Sequence, residues 1–173
     1  MLETDKPAPA DHSRLWLRVQ HDLLFFLIAA LVLVLDQFTK YLVRANLALG
    51  ESYPHSGILR ISHVTNTGAA FGILQGQTVF LTFTTLFGLA AILLYYLYPP
   101  MEHGILRIAL GLQLGGAVGN LIDRLRVGKV TDFIDFRYWP AFNVADSCIV
   151  IGVLTIVAFL TFGDRLWPAN KTT

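Results

Sequence analysis

Four aspartates fall within 24 residues of one another: Asp123, Asp132, Asp135 and Asp146. Two carboxylates held together cannot both ionise cheaply, so a pair can share one proton and offer a base and an acid at once. That is what hydrolysis by an activated water requires. Spacing alone does not choose the pair. Asp132 and Asp135, three apart, could meet on a helix, and Asp146 could equally be the acidic first-turn residue of a helix capped by Asn143. Asp36 and Lys40 are spaced i,i+4, which puts a candidate structural ion pair on one helix face. Other chemistries lack their residues. The chain has no His-Glu-x-x-His, no Gly-x-Ser-x-Gly and no Gly-x-Gly-Asp. Cys148 is the single cysteine, so no internal disulfide or cysteine-based metal cluster can form. It reads as a buried, inert thiol, and neither a metal nor a cofactor is expected.

These polar groups sit in an apolar chain. Of 173 residues, 54% are hydrophobic and only 14% charged, with a mean hydropathy of +0.57. Soluble domains carry roughly a quarter charged residues, so a bilayer is the better solvent. The net charge of +1 leaves no basic face for nucleic acid. Four apolar stretches approach the about 20 helical residues that a hydrocarbon core demands: Leu23 to Val43, Val79 to Tyr98, Ile105 to Ile122 and Ala145 to Phe162. Arg14 and Arg18 precede the first like the start of a signal peptide. Asp36-Gln37-Phe38-Thr39-Lys40, however, stands where small-residue cleavage chemistry should be.

The expected organisation is a polar tail over 1–20, one four-span unit over 21–165 and a short tail over 166–173. The connection from Pro99 to Gly104 is short, so the second and third spans are antiparallel neighbours. The long connections, Ala45 to Thr78 and Asp123 to Val144, lie on one side of the membrane, and polar chemistry should gather there. Gly57 to Val64 roughly alternates and carries β-branched residues, which predicts a short strand in a small sheet on the membrane surface. In the third span, Gly111, Gly115 and Gly119 form a seam for close helix approach. Beside it runs a polar stripe, Gln113, Gly116, Asn120 and Asp123, followed by Arg124, which should face the bundle interior. Basic residues nearly balance across the two sides, so the positive-inside rule gives no orientation.

In order, the polar islands resemble the motif set of the lipoprotein signal peptidase (signal peptidase II) family of membrane aspartyl peptidases. Asp36-Gln37-Phe38-Thr39-Lys40 is similar to the first box, and Asn66-Thr67-Gly68-Ala69-Ala70-Phe71 to the second. The third is Gly115-Gly116-Ala117-Val118-Gly119-Asn120-Leu121-Ile122-Asp123-Arg124. Val130-Thr131-Asp132-Phe133 and Phe142-Asn143-Val144-Ala145-Asp146 complete the set.

The resemblance implies an all-α membrane protein, a four-transmembrane-helix bundle with a small extracytoplasmic β-structure and cytoplasmic termini, in a bacterial inner membrane. It places the catalytic aspartates on Asp132 and Asp146 and leaves Asp135 out. Asn66, Asn120, Arg124 and Asn143 then position substrate or orient the aspartates. Gly115 and Gly116 let helices approach beside the substrate groove, and Asp36, Lys40 and Asp123 are structural. The implied substrate is a prolipoprotein whose lipobox cysteine bears a diacylglyceryl group, cut on the amino side of that cysteine while its lipid stays among the membrane lipids. A monomer is expected. The stretch from Asp132 to Asp146 is compact for the family, implying a short loop at the substrate entrance. Two other classes remain as alternatives: a small proton-coupled transporter, for which no inverted repeat is visible, and a noncatalytic factor that binds lipid-modified segments.

Overall fold

In the computed structural model, residues 12–68, 76–97 and 103–166 are described, with side chains described over 23–68, 76–97 and 103–163. The four apolar stretches are the four long helices: α1 (His12–Asn46), α2 (Thr78–Leu97), α3 (Gly104–Val127) and α4 (Val144–Leu166). Each contains a window long and apolar enough to cross a membrane. Helix α1 starts at His12, so part of the segment expected to be a polar tail is helical. The rest of that tail, the C-terminal tail from 167, the Pro99-Pro100 turn and Ala69-Ala70-Phe71 of the second box lie outside the described residues.

Helix α1 carries two stripes at helical spacing. Phe25, Ala29, Val32, Asp36, Lys40 and Val43 are buried, whereas Leu23, Leu27, Leu31, Val34, Phe38 and Tyr41 are exposed. The outward stripe is apolar and the inward one holds both charges. That inverts the pattern of a soluble amphipathic helix and suits a hydrocarbon surround, where charge must find its partners inside the protein. Helix α3 is the most buried of the four and packs against the other three. Its glycines explain how. A Cβ on Gly115 would stand 2.5 Å from the Ala29 carbonyl oxygen and 2.7 Å from Val32 Cβ, so α1 and α3 touch backbone to side chain there. Gly116 meets the Ala145 carbonyl of α4 in the same way, and Gly152 of α4 meets the Ala109 carbonyl of α3.

The long connections build one antiparallel sheet in the order β1 (Ser52–Tyr53), β2 (Leu59–Asn66), β3 (Val130–Phe136) and β4 (Trp139–Phe142). The expected strand is β2, shifted by two residues. The second long connection, read only as a carrier of acids, supplies two strands. Gly128 ends α3 in the left-handed region (φ 73°) and donates its N–H to the Arg124 carbonyl, turning the chain from helix into β3. One extra residue in β2, between the Ile61–Ile134 and Val64–Asp132 partners, makes a bulge that sets the register of Asn66 near Asp132.

The glycine seam yields a paired prediction. Gly115→Val should destabilise the protein by about 1–3 kcal/mol through overpacking, whereas Gly88→Ala in α2, where a Cβ meets nothing within 4 Å, should leave stability unchanged or raised. Thermal unfolding of the two variants in the same detergent checks both signs.

Candidate active site

The sheet and the bundle meet over a fully buried cation. Lys40 Nζ lies 2.9 Å from Asp36 Oδ2, 3.0 Å from Asp123 Oδ2 and 2.9 Å from Asn120 Oδ1. Its three N–H donors therefore have three acceptors, on two helices. The expected Asp36–Lys40 pair is present, but as part of a larger cluster in which Asp123 is the second anion. Arg44, one turn beyond Lys40, reaches Asp123 Oδ1 at 3.4 Å and Thr131 Oγ1 at 3.1 Å, so two cations balance two buried acids. Asp123 also accepts the Thr131 N–H of β3, and Asp36 Oδ1 accepts the Ala145 N–H at the start of α4 (3.0 Å). One cluster thus ties α1 to α3, to the sheet and to α4.

Asp132 and Asp146 lie just beyond it and line one cavity of about 480 Å3. Asp132 Oδ1 accepts from Asn143 Nδ2 (2.7 Å) and its Oδ2 from Asn66 Nδ2 (3.1 Å). Asp146 Oδ1 accepts from Asn120 Nδ2 (2.8 Å) and its Oδ2 from the Asn143 N–H (3.3 Å). The three amides have no freedom to flip. A backbone N–H or an ammonium is only a donor, so it must face an amide oxygen. The Gly68 N–H holds Asn66 Oδ1, the Asp146 N–H holds Asn143 Oδ1, and the Lys40 ammonium holds Asn120 Oδ1. Each amide consequently turns its NH2 toward a carboxylate. All four carboxylate oxygens accept hydrogen bonds from the protein, and their remaining lone pairs are free for a proton or a water.

Asn143 and Asp146 do form the helix cap anticipated as the structural alternative: the Asp146 N–H donates to Asn143 Oδ1 and the Asn143 N–H to Asp146 Oδ2. The cap and a chemical role are compatible, because capping uses one oxygen of Asp146 and leaves the other toward Asn120.

Burial, and then the charge of Asp146, push the Asp132 carboxyl up to about 7, against the opposing hydrogen bonds of Asn66 and Asn143 and the charge of Lys40. A carboxyl poised there can carry a proton near neutral pH.

Asp135 is elsewhere. The thought that it could meet Asp132 on a helix is corrected by β3: residues three apart on a strand point to opposite faces. Asp135 pairs across the sheet with Arg60 (2.6 Å) and accepts the Ser62 hydroxyl (2.6 Å). Arg124 lines the cavity within electrostatic reach of Asp146, Asp132 and Asp123 and donates to Thr85 Oγ1 of α2. Gly115 and Gly116 do not line the cavity and serve the α1 and α4 contacts. The sequence assigned no role of their own to Thr131 or Arg44, whereas the apolar wall of Trp139, Pro140, Ala141 and Phe142 that closes one side lies in the stretch read as shaping the substrate entrance. Arg44 stands i,i+4 from Lys40, which was the available signal; for the wall it was the compact stretch from Asp132 to Asp146. Among the described residues, no group of three or more histidine, cysteine, aspartate or glutamate side chains is arranged to hold a metal ion.

The family model described as Signal peptidase (SPase) II matches residues 28–162. The lipoprotein signal peptidase of Moorella thermoacetica is 47% identical over 133 residues, covering 76% of this chain and 89% of the relative. That of Halothermothrix orenii is 40% identical over 136 residues, covering 78% and 93%. A bacterial membrane enzyme whose structure was determined by the in meso method at 2.3 Å resolution superposes with a TM-score of 0.76 at 35% identity, covering 86% of this chain and 93% of that one. Four apolar helices, a small antiparallel sheet and these matches place the chain in the signal peptidase II family, the lipoprotein signal peptidases.

Proposed function

We propose that this protein removes signal peptides from diacylglyceryl-modified prolipoproteins by an aspartyl mechanism, cutting on the amino side of the lipidated cysteine. The observation that carries the reading is the pair Asp132 and Asp146 in one cavity, with every carboxylate oxygen held by a donor of fixed polarity. One carboxylate is ionised and takes a proton from a water as it attacks the scissile carbonyl. Its protonated partner donates to the departing amide nitrogen. The pair titrates as a unit, so the two roles belong to the dyad. Arg124 sits where it can hold a substrate carbonyl. The apolar wall from Trp139 to Phe142 and the α4 residues Ile149 to Ile151 suit an acyl-bearing, apolar segment. The lipid chains stay in the bilayer. The reading places the sheet and cavity at the extracytoplasmic face of a bacterial inner membrane, with both termini in the cytoplasm, and treats the chain as a monomer.

The test is cleavage of a diacylglyceryl-modified lipobox peptide by the purified protein in lipid. Asp132→Asn and Asp146→Asn should each insert and fold but lose about 10²–10⁴-fold or more in turnover, while Asp135→Asn stays within a few-fold of the parent. Binding without cleavage by the parent would instead favour a noncatalytic lipoprotein-binding role. Near-parental turnover by either dyad variant would remove the assignment.

A pH dependence follows from Asp132, whose folded-state value near 7 lies above the ordinary carboxylate range. Below about 7 the pair keeps the proton that acid catalysis needs; above it that proton is lost, so turnover should fall with an apparent pKa near 7. The stability sign is linked. A raised folded-state value means the folded protein holds a proton that the unfolded chain has already released, so this group's contribution declines as pH rises from about 4 to 7. Asp132→Asn should therefore melt higher than the parent at pH 8 and show no such advantage at pH 4, which thermal unfolding at the two pH values would check.

A further inference from the structure

Lys40 lines no part of the cavity, yet it determines which way a cavity group points. Its ammonium is fully buried and lies 2.9 Å from Asn120 Oδ1, and the NH2 of that same amide lies 2.8 Å from Asp146 Oδ1. If Lys40 were absent, the only other donor to that oxygen among the described residues would be Asn143 Nδ2, at a longer 3.3 Å and already committed to Asp132 at 2.7 Å. The amide could then turn its oxygen toward Asp146, a geometry that suits only a protonated carboxyl. A positive charge one amide away has the complementary effect of favouring ionised carboxylates.

We propose that Lys40 is a positioning residue for hydrolysis, acting through Asn120 to hold Asp146 as a hydrogen-bond acceptor of fixed geometry and to bias the dyad toward its singly ionised state. The proposal rests on the dyad reading above and adds a role for a group that never meets the substrate.

The charged and titratable groups around the dyad are few. Helix α1 presents Lys40, Asp36 and Arg44, and α3 presents Asp123 and Arg124. Helix α4 adds the Cys148 thiol; α2 meets this region through the Thr85 hydroxyl; β4 has no charged residue. On β2 and β3, Arg60 and Asp135 are paired with each other, and the His63 imidazole of β2 is turned to the Leu47 carbonyl oxygen at 2.9 Å. Among these, Lys40 is the cation joined to the dyad by a single side chain.

Removing Lys40 alone would leave Asp36 buried without its cation, so the informative variant is Asp36→Asn/Lys40→Met. Asparagine at 36 still offers an oxygen to the Ala145 N–H, and Asp123 keeps Arg44. With the lipidated lipobox peptide, this variant should fold, keep KM within about twofold and lose about tenfold or more in turnover. The variant removes the opposing Asp36 charge as well, which offsets part of the change, but the Lys40 effect on the dyad is the larger, so both limbs of its pH–rate profile should still move upward. Asn120→Ala leaves the ion pair whole and cuts only the link, and it should displace the profile in the same direction. A turnover loss with an unmoved profile would mean a purely structural ion pair and overturns the proposal, as does parental turnover. Should the double variant fail to fold, Asn120→Ala decides alone: an unmoved profile overturns the proposal and an upward displacement supports it. The dyad reading fails separately, through active Asp132→Asn or Asp146→Asn protein.

Discussion

A lysine ammonium with no access to solvent, on a helix that faces lipid, has to be satisfied inside the protein or the helix cannot sit where it does. Lys40 meets that demand with Asp36, Asp123 and Asn120, and breaking such a buried pair by removing one partner costs about 3–5 kcal/mol. The cluster is also where the parts of the protein meet. Asp36 receives the first turn of α4, Asp123 receives β3, and Asn120 reaches toward Asp146. Close approach of α1 and α3 is a precondition, and Gly119, where a Cβ would collide with the Asp36 carboxylate at 2.5 Å, supplies it.

That ammonium fixes Asn120, and the backbone N–H groups of Gly68 and Asp146 fix Asn66 and Asn143 in the same sense. Obligate donors lie outward of each asparagine, so each asparagine presents N–H groups inward, and the inward groups are carboxylates. On the proposed reading this is preorganisation in the useful sense: the hydrogen bonds that hold the dyad are made before substrate arrives, in a cavity with an apolar wall that limits water. The same cavity is built from the strands of the sheet and the adjoining turns of α3 and α4, and on the proposed reading a membrane-embedded substrate and a water both reach it there.

Much of this was legible in the sequence, for physical reasons. Long apolar runs have one reading in so lightly charged a chain, and the four spans stand close to where hydropathy put them. Asp36 and Lys40 were visible as a pair because helical spacing is fixed. The third-span stripe was visible because glycines and amides are conspicuous among leucines. Strands β3 and β4 were not, since seven and four residues give too few alternations and the i,i+3 spacing of Asp132 and Asp135 left a helix open as well. Nor could spacing reveal that Asp123 completes the Lys40 cluster from 83 positions away, or that Asn66 crosses a sheet to reach Asp132; those are facts of register and packing. Choosing Asp132 and Asp146 required the family resemblance. The fold shows what the resemblance could not: Asp135 lies on the other face of the strand, matched to Arg60.

On the proposed reading, Asp132 and Asp146 hold one proton between them near neutral pH. Infrared difference titration of the lipid-reconstituted protein reads this directly, through the carbonyl stretch of a protonated carboxyl. One such band is expected at pH 6, bleaching as pH rises through about 7 and missing from Asp132→Asn protein. A pair that is fully ionised throughout, with no protonated-carboxyl band between pH 5 and 8, would contradict it.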